Sequence, residues 1–151
     1  MNSVCFPVML TPSTQHRPII ASVRGEEWPS PAYTEIRRSR LLEALRRTLV
    51  DAERSSVFVD ASALDYAVAF ISLLPPEAPD PDIVIEEDGD VAFDWGSSAE
   101  STFSVSVGSD GTLRFGGLFG NGTRYGSEPL VSAIPNEILA YIDKARQTWP
   151  R

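Results

Sequence analysis

A chain of 151 residues and 16.5 kDa, with 42% hydrophobic and 23% charged side chains, has the composition of a globular domain and is long enough to bury a core without disulfide staples. The single cysteine, Cys5, excludes an internal disulfide, the single histidine, His16, leaves no basis for a zinc site or a His-centred triad, and no apolar run approaches the ~20 residues of a membrane span. The net charge of −8 is unevenly placed: residues 55–100 hold eleven acids and no Lys or Arg, a block that attracts cations or basic protein and repels nucleic-acid backbone and anionic membrane.

Residues 1–31 contain five prolines (Pro7, Pro12, Pro18, Pro29, Pro31), which predict an extended arm in place of a long helix. Phe6, Ile19, Ile20 and Trp28 make that arm apolar enough to dock on the domain or to join two copies as a homodimer. The apolar run 4–10 follows no basic segment and leads to no small-residue cleavage site, so no secretory signal is read, and with the lone thiol this gives a cytoplasmic expectation.

Residues 32–151 read as a single domain. Thr34 to about Glu53 predicts a helix capped by Thr34, with Leu41, Leu42, Leu45, Leu49 and Ala52 as its apolar stripe and Arg40, Arg47 and Arg54 opposite. Ser62 to Leu74 predicts a second helix, opened by a Ser62–Asp65 capping box, stopped by Pro75-Pro76 and apolar nearly all round. After the proline-rich joint 77–81 the period changes to two. Ile83–Ile85 predicts a strand, Asp88-Gly89 a turn, and Val91, Phe93 and Trp95 inward positions with Ala92 and Asp94 outward. Phe103, Val105 and Val107 repeat the pattern, Ser109-Asp110-Gly111 and Gly120-Asn121-Gly122-Thr123 supply further turns, and Pro135 opens a last helix carrying Ile138, Ile142, Ala145 and Trp149 on one side. The fold class is α+β: an antiparallel meander of four to five strands covered on one face by two or three helices.

Glu86-Glu87-Asp88-Gly89-Asp90 has acids at alternating positions, as oxygen-liganded cations require, but an EF-hand register puts Val91 where glycine belongs and Ser97 where the bidentate Glu belongs. Asp80, Asp82, Asp88 and Asp90 are the candidates for a looser divalent-cation site. Asp94 is the best general acid–base candidate, and it is solvated if its face of the sheet is open. Gly117 to Gly122 has phosphate-loop spacing, yet Thr123-Arg124 stands where Lys-Ser/Thr is needed and no helix follows. A bulged strand and hairpin, with glycines where φ must be positive or another backbone comes close, explains the same segment, and Arg114, Arg124 and Tyr125 could form a small polar patch beside the turn. Arg37, Arg38, Arg40, Arg46 and Arg47 could touch phosphates, but Glu35, Glu43, Asp51 and Glu53 are interleaved with them, which weighs against direct nucleic-acid binding. Cys5 and His16 sit on no rigid predicted element. No catalytic residue, metal-ligand set or cofactor is assigned.

The run Leu73-Leu74-Pro75-Pro76, Pro81-Asp82-Ile83, Glu87 to Trp95, Phe103 to Leu113 and Ile134-Pro135 resembles a family of short bacterial proteins without an assigned activity. The resemblance covers about residues 73–139 and implies a bacterial cytoplasmic or phage-linked setting and the hairpin reading, with no residue roles to transfer.

Missing catalytic chemistry beside a polarised surface favours a non-enzymatic protein-interaction module of antitoxin, immunity or inhibitor type, or a complex subunit. It would present Asp80, Asp82, Glu86, Glu87, Asp88, Asp90 and Asp94, with Arg124 and Tyr125, to a basic protein surface such as that of a toxin or a nucleic-acid enzyme. The rival is a small divalent-metal-dependent hydrolase or transferase using the acidic turn.

Overall fold

The computed structural model describes residues 30–147; the predicted arm, except Ser30 and Pro31, and Trp149 lie outside the described residues. Three helices and five strands follow in the order α1 (Pro31–Arg54), α2 (Ala61–Leu73), β1 (Asp82–Ile85), β2 (Val91–Ser98), β3 (Ser101–Val107), β4 (Thr112–Phe119), β5 (Gly122–Pro129) and α3 (Asn136–Gln147). The strands form one antiparallel sheet in sequence order, β1-β2-β3-β4-β5, so the fold is an α+β meander.

Helix α1 begins three residues before the sequence expectation. The Ser30 hydroxyl oxygen accepts the Tyr33 N–H at 3.1 Å, which makes Ser30 the cap and puts Pro31 at the first helical position, where the missing N–H costs nothing. Asp60, not Ser62, caps α2: its Oδ1 accepts the N–H groups of Ser62 and Ala63 at 2.8 and 3.0 Å. Leu74 leaves the helix in an extended conformation, as a residue before proline must.

Alternation sends Val91, Phe93 and Trp95 of β2, Phe103, Val105 and Val107 of β3, and Leu113 and Phe115 of β4 to one side, where all are buried. The helices cover that side. Phe70 of α2 packs at a tilt against Phe93 with ring centroids 4.6 Å apart, and Tyr141 of α3 meets Phe103, Phe119 and Phe115 at 5.5, 5.6 and 5.9 Å. Leu41 and Leu45 of α1 and Ile138, Ile142 and Ala145 of α3 complete the same core.

The β1–β2 and β3–β4 turns are built alike: Gly89 and Gly111 end them at φ of 90° and 77°, which only glycine adopts without strain. The glycine-rich β4–β5 hairpin departs from the expected bulge. Its register is unbroken, and the irregularity lies instead between Trp95 and Ser98 in the β2–β3 pair. Two of its five glycines, Gly117 and Gly126, make room for rings. A Cβ on Gly126 would fall 2.6 Å from the Phe115 ring, and one on Gly117 would fall 2.8 and 2.9 Å from Phe119 and Phe103.

Candidate functional site

The face of the sheet turned away from the helices is covered by no element among the described residues. Cross-strand register lays its side chains out in rows. One row runs Asp82, Asp94, Ser104, Gly116, Tyr125, and the next runs Val84, Ala92, Ser106, Arg114, Ser127. Small side chains form the middle of this face, two carboxylates stand at its β1–β2 end, and Tyr125, 86% exposed, stands at the other.

Asp82 and Asp94 are direct cross-strand partners, a placement in which like charges repel. Asp94 is partly relieved, since its Oδ1 accepts from the Ser104 hydroxyl at 2.5 Å; the Asp82 carboxylate has no partner among the described residues. Glu86 accepts from the Ser106 hydroxyl at 2.6 Å. Ser104 and Ser106 thus give β3 two outward donors facing the acidic strands, a role that their alternation with Phe103, Val105 and Val107 signals in the sequence.

The β1–β2 turn gathers Glu86, Asp88 and Asp90, with one carboxylate oxygen from each within 4.8 Å of the others. Every member is engaged. Asp88 Oδ1 accepts the Asp90 N–H at 3.1 Å, Glu86 holds Ser106, and Asp90, only 7% exposed, pairs with the Arg114 guanidinium. Arg114 reaches across β3 because residue 108 is glycine: a Cβ there would sit 3.0 Å from the Arg114 Nη2 and 3.4 Å from Asp90 Oδ2. Asp110 lies beside this bridge, and the Thr112 N–H that it accepts at 2.9 Å holds its carboxyl below the ordinary value. Three carboxylates so placed have the hard-oxygen chemistry of a cation site, with a guanidinium competing for one of them. Asp80 and Asp82 do not belong to this group.

Asp80 is held elsewhere. Arg37, 4% exposed, donates from Nε to Asp80 Oδ1 at 2.7 Å and from Nη1 and Nη2 to the carbonyls of Pro75 and Ala78 at 2.8 and 2.7 Å. Arg40 pairs with the other Asp80 oxygen. Arg37 is therefore a buried clamp on the loop that feeds β1, not a phosphate ligand. Its position four residues before Leu41, on the stripe that continues to Leu45, is the sequence signal that identifies it.

Glu87 is exposed at the tip of the acidic turn. Arg114, Arg124 and Tyr125 do not share a face: Arg124 lies opposite Gly117 on the helix side of the sheet and donates to the Thr123 carbonyl at 2.8 Å, whereas Arg114 and Tyr125 are on the open side. Among the described residues no helix is long and apolar enough to cross a membrane. In comparisons with known proteins, the chain matches no family model, no curated protein and no solved structure.

Proposed function

We propose that this chain is a non-enzymatic protein-interaction module whose open sheet face takes a basic surface of a partner protein. The observation that carries the reading is the Asp82–Asp94 pair, two carboxylates opposed on a face that no described element covers. Opposed like charges cost stability in the free protein, so an arriving guanidinium or ammonium relieves repulsion as well as gaining its own attraction. The small residues Ser104, Ser106 and Gly116 at its centre let a partner backbone or helix approach closely, and Tyr125 offers a large exposed ring at the far end of the row. A bacterial or phage-linked antitoxin, immunity protein, inhibitor or complex subunit, working in the cytoplasm, fits this chemistry.

The test is capture of partners on immobilised chain, with Asp82→Asn/Asp94→Asn as the comparison bait. Basic proteins retained by the native face, released by salt and lost by the variant support the reading; identical retention on both baits refutes it.

The Glu86, Asp88 and Asp90 cluster favours a second reading, the divalent-metal-dependent hydrolase or transferase. Calorimetry with Mg²⁺, Mn²⁺ and Ca²⁺ decides it: submillimolar binding lost in Asp88→Asn/Asp90→Asn would move the assignment to that class.

A further inference from the structure

The loop of residues 75–79 and α3 enclose a cleft of about 190 Å³ whose lining includes Pro75, Pro79, Leu139 and Ile142 and two carboxylates, Glu77 and Asp143. That volume is below the roughly 300–1,000 Å³ of small-molecule sites and near the ~150 Å³ that takes one benzene ring, so the cleft fits a single side chain. Its loop wall is fixed from behind. Arg37 holds the carbonyls of Pro75 and Ala78 at 2.8 and 2.7 Å, Trp95 Nε1 donates to the Pro79 carbonyl at 2.9 Å, and the Ala78 N–H donates to Pro75 at 3.0 Å. A wall so pinned loses little freedom when the cleft is filled.

The two carboxylates differ. Asp143 is paired with Arg146 at 2.6 Å, whereas Glu77 has no hydrogen bond or ion pair among the described residues. An apolar cleft beside one unpaired carboxylate suits a cation on an aliphatic stem. Guanidinium suits it better than ammonium, because it is more weakly hydrated and meets a carboxylate through two parallel N–H bonds.

We propose that this cleft is the socket for one arginine side chain of the basic partner, with its methylenes against Leu139, Ile142 and the prolines and its guanidinium on Glu77. The proposal rests on the partner-binding reading above and names the anchor residue that the partner supplies.

The test titrates N-acetyl-arginine N-methylamide, and its lysine and norleucine counterparts, into the full chain while the amide resonances of Ala78, Leu139 and Ile142 are followed by NMR. The expected result is saturable millimolar binding of the arginine probe, severalfold weaker lysine, and no saturation with norleucine. Glu77→Gln is expected to weaken the arginine probe about tenfold, the loss of a hydrogen bond to a charged group, while Asp65→Asn/Glu100→Gln, at exposed positions away from the cleft, leaves it unchanged. No saturable shift, a norleucine or lysine response equal to that of arginine, or indifference to Glu77→Gln overturns the socket. If partner capture proves independent of Asp82 and Asp94 while the arginine titration behaves as expected, the open-face reading fails and the socket stands; the reverse pattern overturns the socket alone.

Discussion

Replacing Arg37 by alanine tests whether the buried clamp organises the approach to β1. The substitution removes three hydrogen bonds, one to a carboxylate and two to backbone carbonyls, from a side chain that is 4% exposed. Hydrogen bonds to charged groups contribute about 1.5–3 kcal/mol each, and breaking a fully buried pair costs about 3–5 kcal/mol. The lower end applies. The Asp80 side chain is 36% exposed and keeps Arg40, so it is solvated and paired after the loss, leaving the Pro75 and Ala78 carbonyls as the main casualties. We therefore expect a loss of about 3 kcal/mol. In urea, with a slope of about 2 kcal/mol/M, the midpoint falls by about 1.5 M. Arg40→Ala, which removes only the more exposed arm of the same ion pair, is expected to cost under about 1 kcal/mol. Arg37→Lys is expected to fall between the two, because an ammonium cannot reproduce a planar fork aimed at three acceptors. A midpoint shift for Arg37→Ala no larger than that for Arg40→Ala would refute the clamp.

Asp82→Asn is expected to stabilise the free chain by about 0.5 kcal/mol at low salt, since it removes one of two opposed like charges; a loss of stability in urea melts would show that the pair is not repulsive. Ser56 holds a left-handed φ of 58° just after α1, so Ser56→Gly is expected to raise stability by about 1 kcal/mol in the same assay, and no gain would mean the residue is unstrained. Asp110 has a folded-state pKa below its ordinary 3.8, so its contribution is present above that value and lost as pH falls through the lower folded value. Asp110→Asn should therefore flatten the acid limb of a stability-versus-pH curve below about pH 4, and an unchanged limb would contradict the Thr112 bond as its cause. Gly108→Val should block Arg114 from reaching Asp90 and lower the melting temperature, and an Arg114→Ala background should absorb much of that loss if the bridge is what valine obstructs.

The meander was legible because its signal is period-two alternation from Val91 to Leu113 punctuated by Asp-Gly turns, and the inward and outward assignments of Phe93, Asp94 and Phe103 follow from the pleat. Helix starts were less legible: Ser30 and Asp60 outcompete Thr34 and Ser62 as caps because proline is welcome at the first helical position and an aspartate just upstream can satisfy two amides. The site was legible only as a composition of acids. Which of them oppose each other depends on register, and which are consumed by structure depends on contacts far apart in sequence, as between Arg37 and Asp80 or Arg114 and Asp90. The pairing of Arg124 with the helix side and Tyr125 with the open side needed only the strand phase, which the glycines of β5 conceal.

The most direct measurement is titration calorimetry of a hexa-arginine peptide against three chains: the native one, Asp82→Asn/Asp94→Asn, and Asp65→Asn/Glu100→Gln, which loses the same charge from exposed positions outside the rows. Binding that weakens about tenfold in the first variant and little in the second is the expected result, with a salt dependence that shrinks only in the first. Equal affinity in all three chains, or an equal loss in both variants, would contradict a built docking face and leave only diffuse charge.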